Sequence, residues 1–192
     1  YPNLQYHFLP LAINYDGSSP HRGDGFQFHV GTMRSKSRGF VAIKNADPQN
    51  SPTIKFNYLS HSDDLKDFRN AIRITRNILD QPAFKDFAGQ EIQPKPTVKS
   101  NRELDEFIKS SVESAFHPCG TCKMGDPADK ETVVTPECKV NGVENLFCAD
   151  SSIFPSITNG NLNAPSIMVG EKAVDHILNK PLLPKENLVP YN

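Results

Sequence analysis

The residues best equipped for chemistry lie in the second half of the chain. Cys119-Gly-Thr-Cys122 has the C-x-x-C spacing used by zinc sites and by dithiol redox sites. All four cysteines fall between Cys119 and Cys148. A zinc ribbon needs a second close pair, whereas Cys138 and Cys148 are separated by nine residues with no histidine near them. The cysteines flank apolar strands, where a thiol packs as a small hydrophobe. Reduced thiols and no metal ligand set are therefore expected, and a metal or redox module on Cys119 and Cys122 is the competing reading. His117 stands two residues ahead of this motif, and a polar Gly/Asn-rich loop over 151–163 carries Asn161 and Asn163. An imidazole suits proton exchange near neutral pH. On its own, though, a lone histidine is more often a strand-end residue satisfied by the backbone. Asn161 and Asn163 read equally as loop and N-cap residues, and Asp150 as a turn or cap aspartate.

Something must position these groups, and the hydrophobic pattern says what. Over the first sixty residues Tyr6–Ile13, Phe26–Val30, Gly39–Lys44 and Ile54–Tyr58 read as strands, two of them alternating at period two. Asp-Gly, Gly-Asp-Gly and Arg-Gly turn signals between them suit an antiparallel meander. Its apolar face needs a covering layer. Leu65, Phe68, Ala71, Ile72, Thr75, Ile78 and Leu79 recur at helical spacing, with Ser62 as the expected N-cap and Gln81-Pro82 as the stop. After a Pro-rich linker, Ser100-x-x-Glu103 forms a capping box for a second helix with Leu104, Phe107, Ile108 and Val112 on its buried stripe. From His117 to Asp150 the chain reads as short strands and turns, Asn141-Gly142 marking a hairpin. A last helix carries Pro165 near its first turn, with Ile167, Gly170, Ala173, Val174, Ile177 and Leu178 on its apolar face.

The 192 residues, 37% of them hydrophobic, suffice for one substantial core or two modest ones. A formal net charge of -1 leaves no electrostatic footprint for nucleic acid or for an anionic membrane surface. No apolar run approaches the roughly 20 residues that span a bilayer. The composition is compatible with a cytoplasmic protein and leaves membrane association open. The start at Tyr1-Pro2-Asn3 reads as internal to a longer chain.

Four blocks, in order, resemble the glucose–methanol–choline (GMC) oxidoreductases. They are His117-Pro-Cys-Gly-Thr-Cys-Lys-Met-Gly125, Val140 to Ser152, Asn159-Gly-Asn-Leu-Asn-Ala-Pro-Ser-Ile-Met168, and Glu171-Lys-Ala173. Earlier segments are similar to the choline-oxidising members: Tyr6-His-Phe-Leu-Pro10, Ala12–Gly17, Phe26–Gly39 and Phe68–Arg76. The resemblance implies an α+β chain. Residues 1–115 are an antiparallel sheet backed by helices, part of the substrate-binding domain. Residues 116–180 are the C-terminal return strand and helix segment of the FAD-binding domain, and 181–192 are a tail. It implies alcohol oxidation, with His117 as base or alkoxide stabiliser and Asn161 as its partner on the substrate oxygen. Asn163, Ala164 and Pro165 then lie against the flavin, and Asp150 and Ser151 near its ribityl and phosphate region. The helix N-terminus faces the charge that gathers on the ring. Choline or another small primary alcohol is the implied substrate, and a quinone or another acceptor takes the electrons.

The chain departs from the family at Thr135, commonly acidic, and at Ser151, commonly alanine. It also contains no G-x-G-x-x-G fingerprint. In the family that motif, most of the FAD site and a carboxylate for the trimethylammonium group lie upstream, so the missing N-terminal half is an implied partner. This part alone is expected to be inactive. His7, His21, His29, His61 and His176 have no such context and read as surface or packing residues. A non-catalytic scaffold is a further alternative, opposed by the presence of His117 and Asn161.

Overall fold

In a computed structural model, residues 1–14, 17–18, 23–181, 183–184 and 186–187 are described. Asp16 of the first turn signal, His21 and much of the 181–192 tail lie outside the described residues. The chain divides into two compact units, Tyr1–Phe116 and His117–Asn192.

In the first unit, β1 (Leu4–Leu9) and β2 (Gln27–Thr32) pair antiparallel, with Tyr6 opposite Val30 and Phe8 opposite Phe28. The rings of Tyr6, Phe8, Phe26, Phe28 and Phe84 pack edge-on or tilted at centroid separations of 5.3 to 6.2 Å. A second ribbon joins β3 (Phe40–Ala42) to β4 (Thr53–Lys55). The expected single meander is thus two separate two-stranded sheets. The segment between β2 and β3 takes another course. Instead of running on as a hairpin, residues 35–37 fold around the carboxylate of Asp64. It accepts from Ser35 Oγ at 2.6 Å, Lys36 N at 2.9 Å, Ser37 N at 3.1 Å and the Ser37 hydroxyl. Burial works against the charge of Asp64, but these donors outweigh it and hold the carboxyl below its ordinary value.

Helix α1 (Ser62–Leu79) packs on β2 and on α2 (Asn101–Ser111). Ala71 of α1 and Leu104 and Ile108 of α2 are the buried residues there. The cap of α1 corrects the expectation. His61, not Ser62, is the N-cap, its Nδ1 accepting from Asp63 N at 3.2 Å. Ser62 already has helical geometry, and the imidazole nitrogen reaches the orphan donor in its place. His61 is thus a cap rather than a plain surface residue. The Ser100–Glu103 capping box of α2 is present in both directions. Arg69 and Asp105 join the two helices through a 2.6 Å ion pair.

The second unit is built on turns and one helix, α3 (Asn163–Ile177). The 138–149 hairpin forms, but as local bridges rather than full strands: Lys139 faces Phe147, Val140 N donates to Leu146 O and Cys148 N to Cys138 O. Val134, Cys138, Ile153, Phe154, Leu162, Val169 and Ala173 make the core, with Cys119, Met124 and Cys148 packed against it.

Candidate functional site

The His117 block is laced to the segment after Asp150. Gly120 N donates to Ser151 O at 3.2 Å, Cys122 N to Ser152 O at 2.8 Å and Met124 N to Ile153 O at 2.8 Å. Glycine is favoured at 120: its φ is +86°, and a Cβ there would stand 3.2 Å from Phe154 O. Ser151 adds a side-chain tie, its Oγ donating to Pro118 O at 3.4 Å.

His117, half-buried, therefore sits at the foot of α3, where Leu162 N donates to its Nδ1 at 3.4 Å. Asn161, next along the chain, is exposed. The structure so brings His117, Ser151 and the Asn161–Pro165 segment into one unit. Asn163 does not cap α3. Leu162 is the N-cap, in helical geometry, and no side-chain bond caps the helix. Asn163 and Ala164 are exposed in the first turn, Pro165 half-buried. Asp150 acts as the cap of the turn Ser151–Ile153, accepting from Ser152 N at 2.7 Å. That is the turn-and-cap role its sequence context left open, and the carboxylate keeps exposed surface beside it. Thr158, in the same polar loop, buries a hydroxyl oxygen with no partner.

Cys119, Cys138 and Cys148 behave as core residues. Cys138 is 3% exposed, and burial pushes its thiol up. Burial does the same for Cys148, whose sulfur lies 3.1 Å from Ser152 Oγ. None of the four is in a disulfide. Among the described residues no group of three or more His, Cys, Asp or Glu side chains is gathered as a metal site requires.

The family model for GMC oxidoreductase matches residues 35–170, most of the chain. The chain belongs to the GMC oxidoreductase family. It is 60% identical over 191 residues to a Brucella ovis protein named oxygen-dependent choline dehydrogenase, all of this chain against 35% of that protein. The chain thus spans about a third of the length of the curated relatives it matches. Among solved structures it is similar to a formate oxidase, with a TM-score of 0.84, 28% identity and coverage of 93% of this chain and 32% of the other. It is also similar to an FAD-dependent oxidoreductase from Chaetomium thermophilum, with a TM-score of 0.74, 26% identity and coverage of 82% and 27%. The family read from the sequence blocks is borne out, as is the α+β class with its small antiparallel sheets and helices.

Two elements that matter escaped the sequence reading. The backbone N–H of Leu162 leaves no mark in a pattern of side chains. The Asp64 carboxylate stands in the first turn of α1, and nothing local to it in the sequence reveals the loop of residues 35–37 that it binds.

Proposed function

We propose that the chain is the C-terminal part of an FAD-dependent alcohol oxidoreductase that oxidises choline to betaine aldehyde. The observation that carries this reading is the contact of His117 with the backbone N–H of Leu162, the residue after Asn161, at a helix N-terminus without a side-chain cap. The residues present fit a flavin. The first N–H groups of α3 lack a side-chain cap, and Asn163 and Ala164 leave them open to an electron-rich group. The Thr158 hydroxyl in the preceding loop has an unmet hydrogen bond.

In this reading Asn163, Ala164 and Pro165 hold the ring, and Asp150 and Ser151 border the rest of the cofactor. FAD, when bound, supplies the two-electron acceptor for the hydride that leaves the carbinol carbon. His117 is hydrogen-bonded to the substrate oxygen as base or alkoxide stabiliser, and Asn161 orients the same oxygen. Residues 1–115 belong to the substrate-binding region and 116–180 to the FAD-binding region. The remaining FAD contacts and the partner of the trimethylammonium group come from the part of the full-length protein that this chain does not span. Electrons go on to a quinone or another acceptor, and the relatives' name puts dioxygen among the candidates. A cytoplasmic compartment is part of the proposal. No helix of the described residues is long and apolar enough to cross a membrane.

The test uses full-length protein loaded with FAD and kept anaerobic. Choline should bleach the visible flavin absorbance, and other small primary alcohols should do so far more slowly. Bleaching by another alcohol and not by choline would overturn the substrate. A full-length protein that binds no flavin would overturn the whole reading.

A further inference from the structure

We infer that Cys122 and Cys148 form a modification site, at which hydrogen peroxide joins the two thiols in a reversible disulfide. Sequence spacing suggests Cys119 as the partner of Cys122, but the fold supplies a different one. Ser152 holds both cysteines of the inferred pair, one at each of its ends. Its carbonyl accepts from Cys122 N at 2.8 Å, and its hydroxyl oxygen lies 3.1 Å from the Cys148 sulfur. Ser152 is fixed in turn by its N–H, which donates to the Asp150 carboxylate at 2.7 Å. The side chains meet there, Cys122 being a hydrogen-bond partner of the Cys148 thiol. With both main chains held, side-chain rotation is the motion left to bring the sulfurs to the roughly 2.05 Å of a disulfide.

A third sulfur lies on the other side of Cys148. Cys138 stands opposite it in the hairpin, where Cys148 N donates to Cys138 O at 2.9 Å and Lys139 faces Phe147. The first thiol to be oxidised must be reachable by peroxide and able to shed its proton. Cys138 meets neither condition, being 3% exposed with its thiol pushed up by burial. Burial also pushes up the thiol of Cys148. Cys122, half-buried and set against Cys148, is the point of entry.

The chemistry balances in two steps. The Cys122 thiolate attacks one peroxide oxygen; an S–O bond forms, the O–O bond breaks, and the leaving hydroxide takes up the thiol proton as water. The Cys148 sulfur gives up its proton and attacks the Cys122 sulfur; the S–S bond forms, the S–O bond breaks and a second water leaves. The sulfurs lose two electrons, and the peroxide oxygens gain them. The Ser152 hydroxyl donates to the Cys148 thiolate as it forms. The new bond pins the His117 block to the strand that leads into Asp150. Dioxygen yields peroxide when it reoxidises a reduced flavin, so the enzyme as its source rests on the proposed function. The pair itself does not.

The experiment treats full-length, FAD-loaded protein with hydrogen peroxide, alkylates the remaining thiols and digests with trypsin without reductant. Cleavage after Lys123 and Lys139 puts Cys122 and Cys148 on separate peptides and Cys138 on a third. Mass spectrometry should find the first two cross-linked, with the link removed by dithiothreitol. The link should vanish in Cys122→Ser and in Cys148→Ser, and persist in Cys119→Ser and Cys138→Ser. Fragmentation of the wild-type cross-link assigns its sulfurs even where a variant fails to fold. A link through Cys119 or Cys138 overturns the inference, as does full alkylation of all four thiols after peroxide. Sulfinic acid on Cys122 without any cross-link overturns it too. In a second arm, choline in air should give the same cross-link, and catalase should prevent it. A link formed by added peroxide but not by choline in air overturns the enzyme as the source and leaves the pair standing. Failure of choline to reduce the flavin overturns the proposed function instead.

Discussion

Asp64 and His117 are both polar side chains drawn inward, and they are treated in opposite ways. Asp64 is 2% exposed and receives hydroxyl and backbone donors from residues 35–37 until its oxygens are satisfied. His117 keeps part of its surface exposed and receives one long bond, at Nδ1, from Leu162. Saturating a buried charge fixes a loop and leaves nothing over for a ligand. Leaving one ring nitrogen uncommitted does the reverse. The contrast separates a group that organises the chain from a group that is available for chemistry.

The comparison can be broken from either side. The largest effect expected is on rate: His117→Ala should slow flavin reduction by choline in the full-length protein by roughly 10²- to 10⁴-fold. Its melting temperature should stay within a degree or two of the wild type, as read by circular dichroism. Asp64→Ala should do the opposite, losing on the order of 2–4 kcal/mol in denaturant unfolding because buried donors are left unpaired. The acid dependence carries its sign. The carboxyl of Asp64 is held below its ordinary value, so its stabilisation is fully present above the unfolded pKa of about 4. That stabilisation is lost as pH falls through the lower, folded value. The gap in stability between wild type and Asp64→Asn should therefore narrow below about pH 4.

A smaller loss is expected for Gly120→Ala, about 1–2 kcal/mol, since φ of +86° strains any side chain. Because Gly120 ties the His117 block to Ser151, this variant should also slow flavin reduction a few-fold, which separates it from purely structural variants. Least of all, Ser100→Ala should cost about 1 kcal/mol by removing the α2 cap, with no effect on the rate for the folded enzyme. Equal losses of rate in Ser100→Ala and Gly120→Ala would erase the distinction between the two regions.

What the sequence made legible follows from range. Helical spacing at Leu65–Leu79, the Ser100–Glu103 capping box and the Asn141-Gly142 turn are set by neighbours a few residues away, and each appears where the pattern placed it. The division of the strands into two sheets was not legible, and neither was the contact of Asp64 with Ser35, which bridges residues far apart in the chain. The N-cap slipped by one residue to His61, a side chain whose capping nitrogen is easily overlooked beside a serine. At the site, the four blocks pointed to His117 and Asn161 through resemblance. What holds His117 is a main-chain donor forty-five residues away, which no residue type announces. Asn163 was open to a capping role and has none, since Leu162 already turns helical ahead of it.

The most direct test pairs two measurements on the same samples of full-length, FAD-loaded protein. Anaerobic stopped-flow would follow flavin reduction by choline in wild type, His117→Ala and Asp64→Ala, each at a temperature where melting curves show it folded. The expected result is a loss of roughly 10²-fold or more confined to His117→Ala, with folded Asp64→Ala within a few-fold of wild type. Wild-type reduction rates in His117→Ala would contradict the account, because the group left available for chemistry would then be doing none.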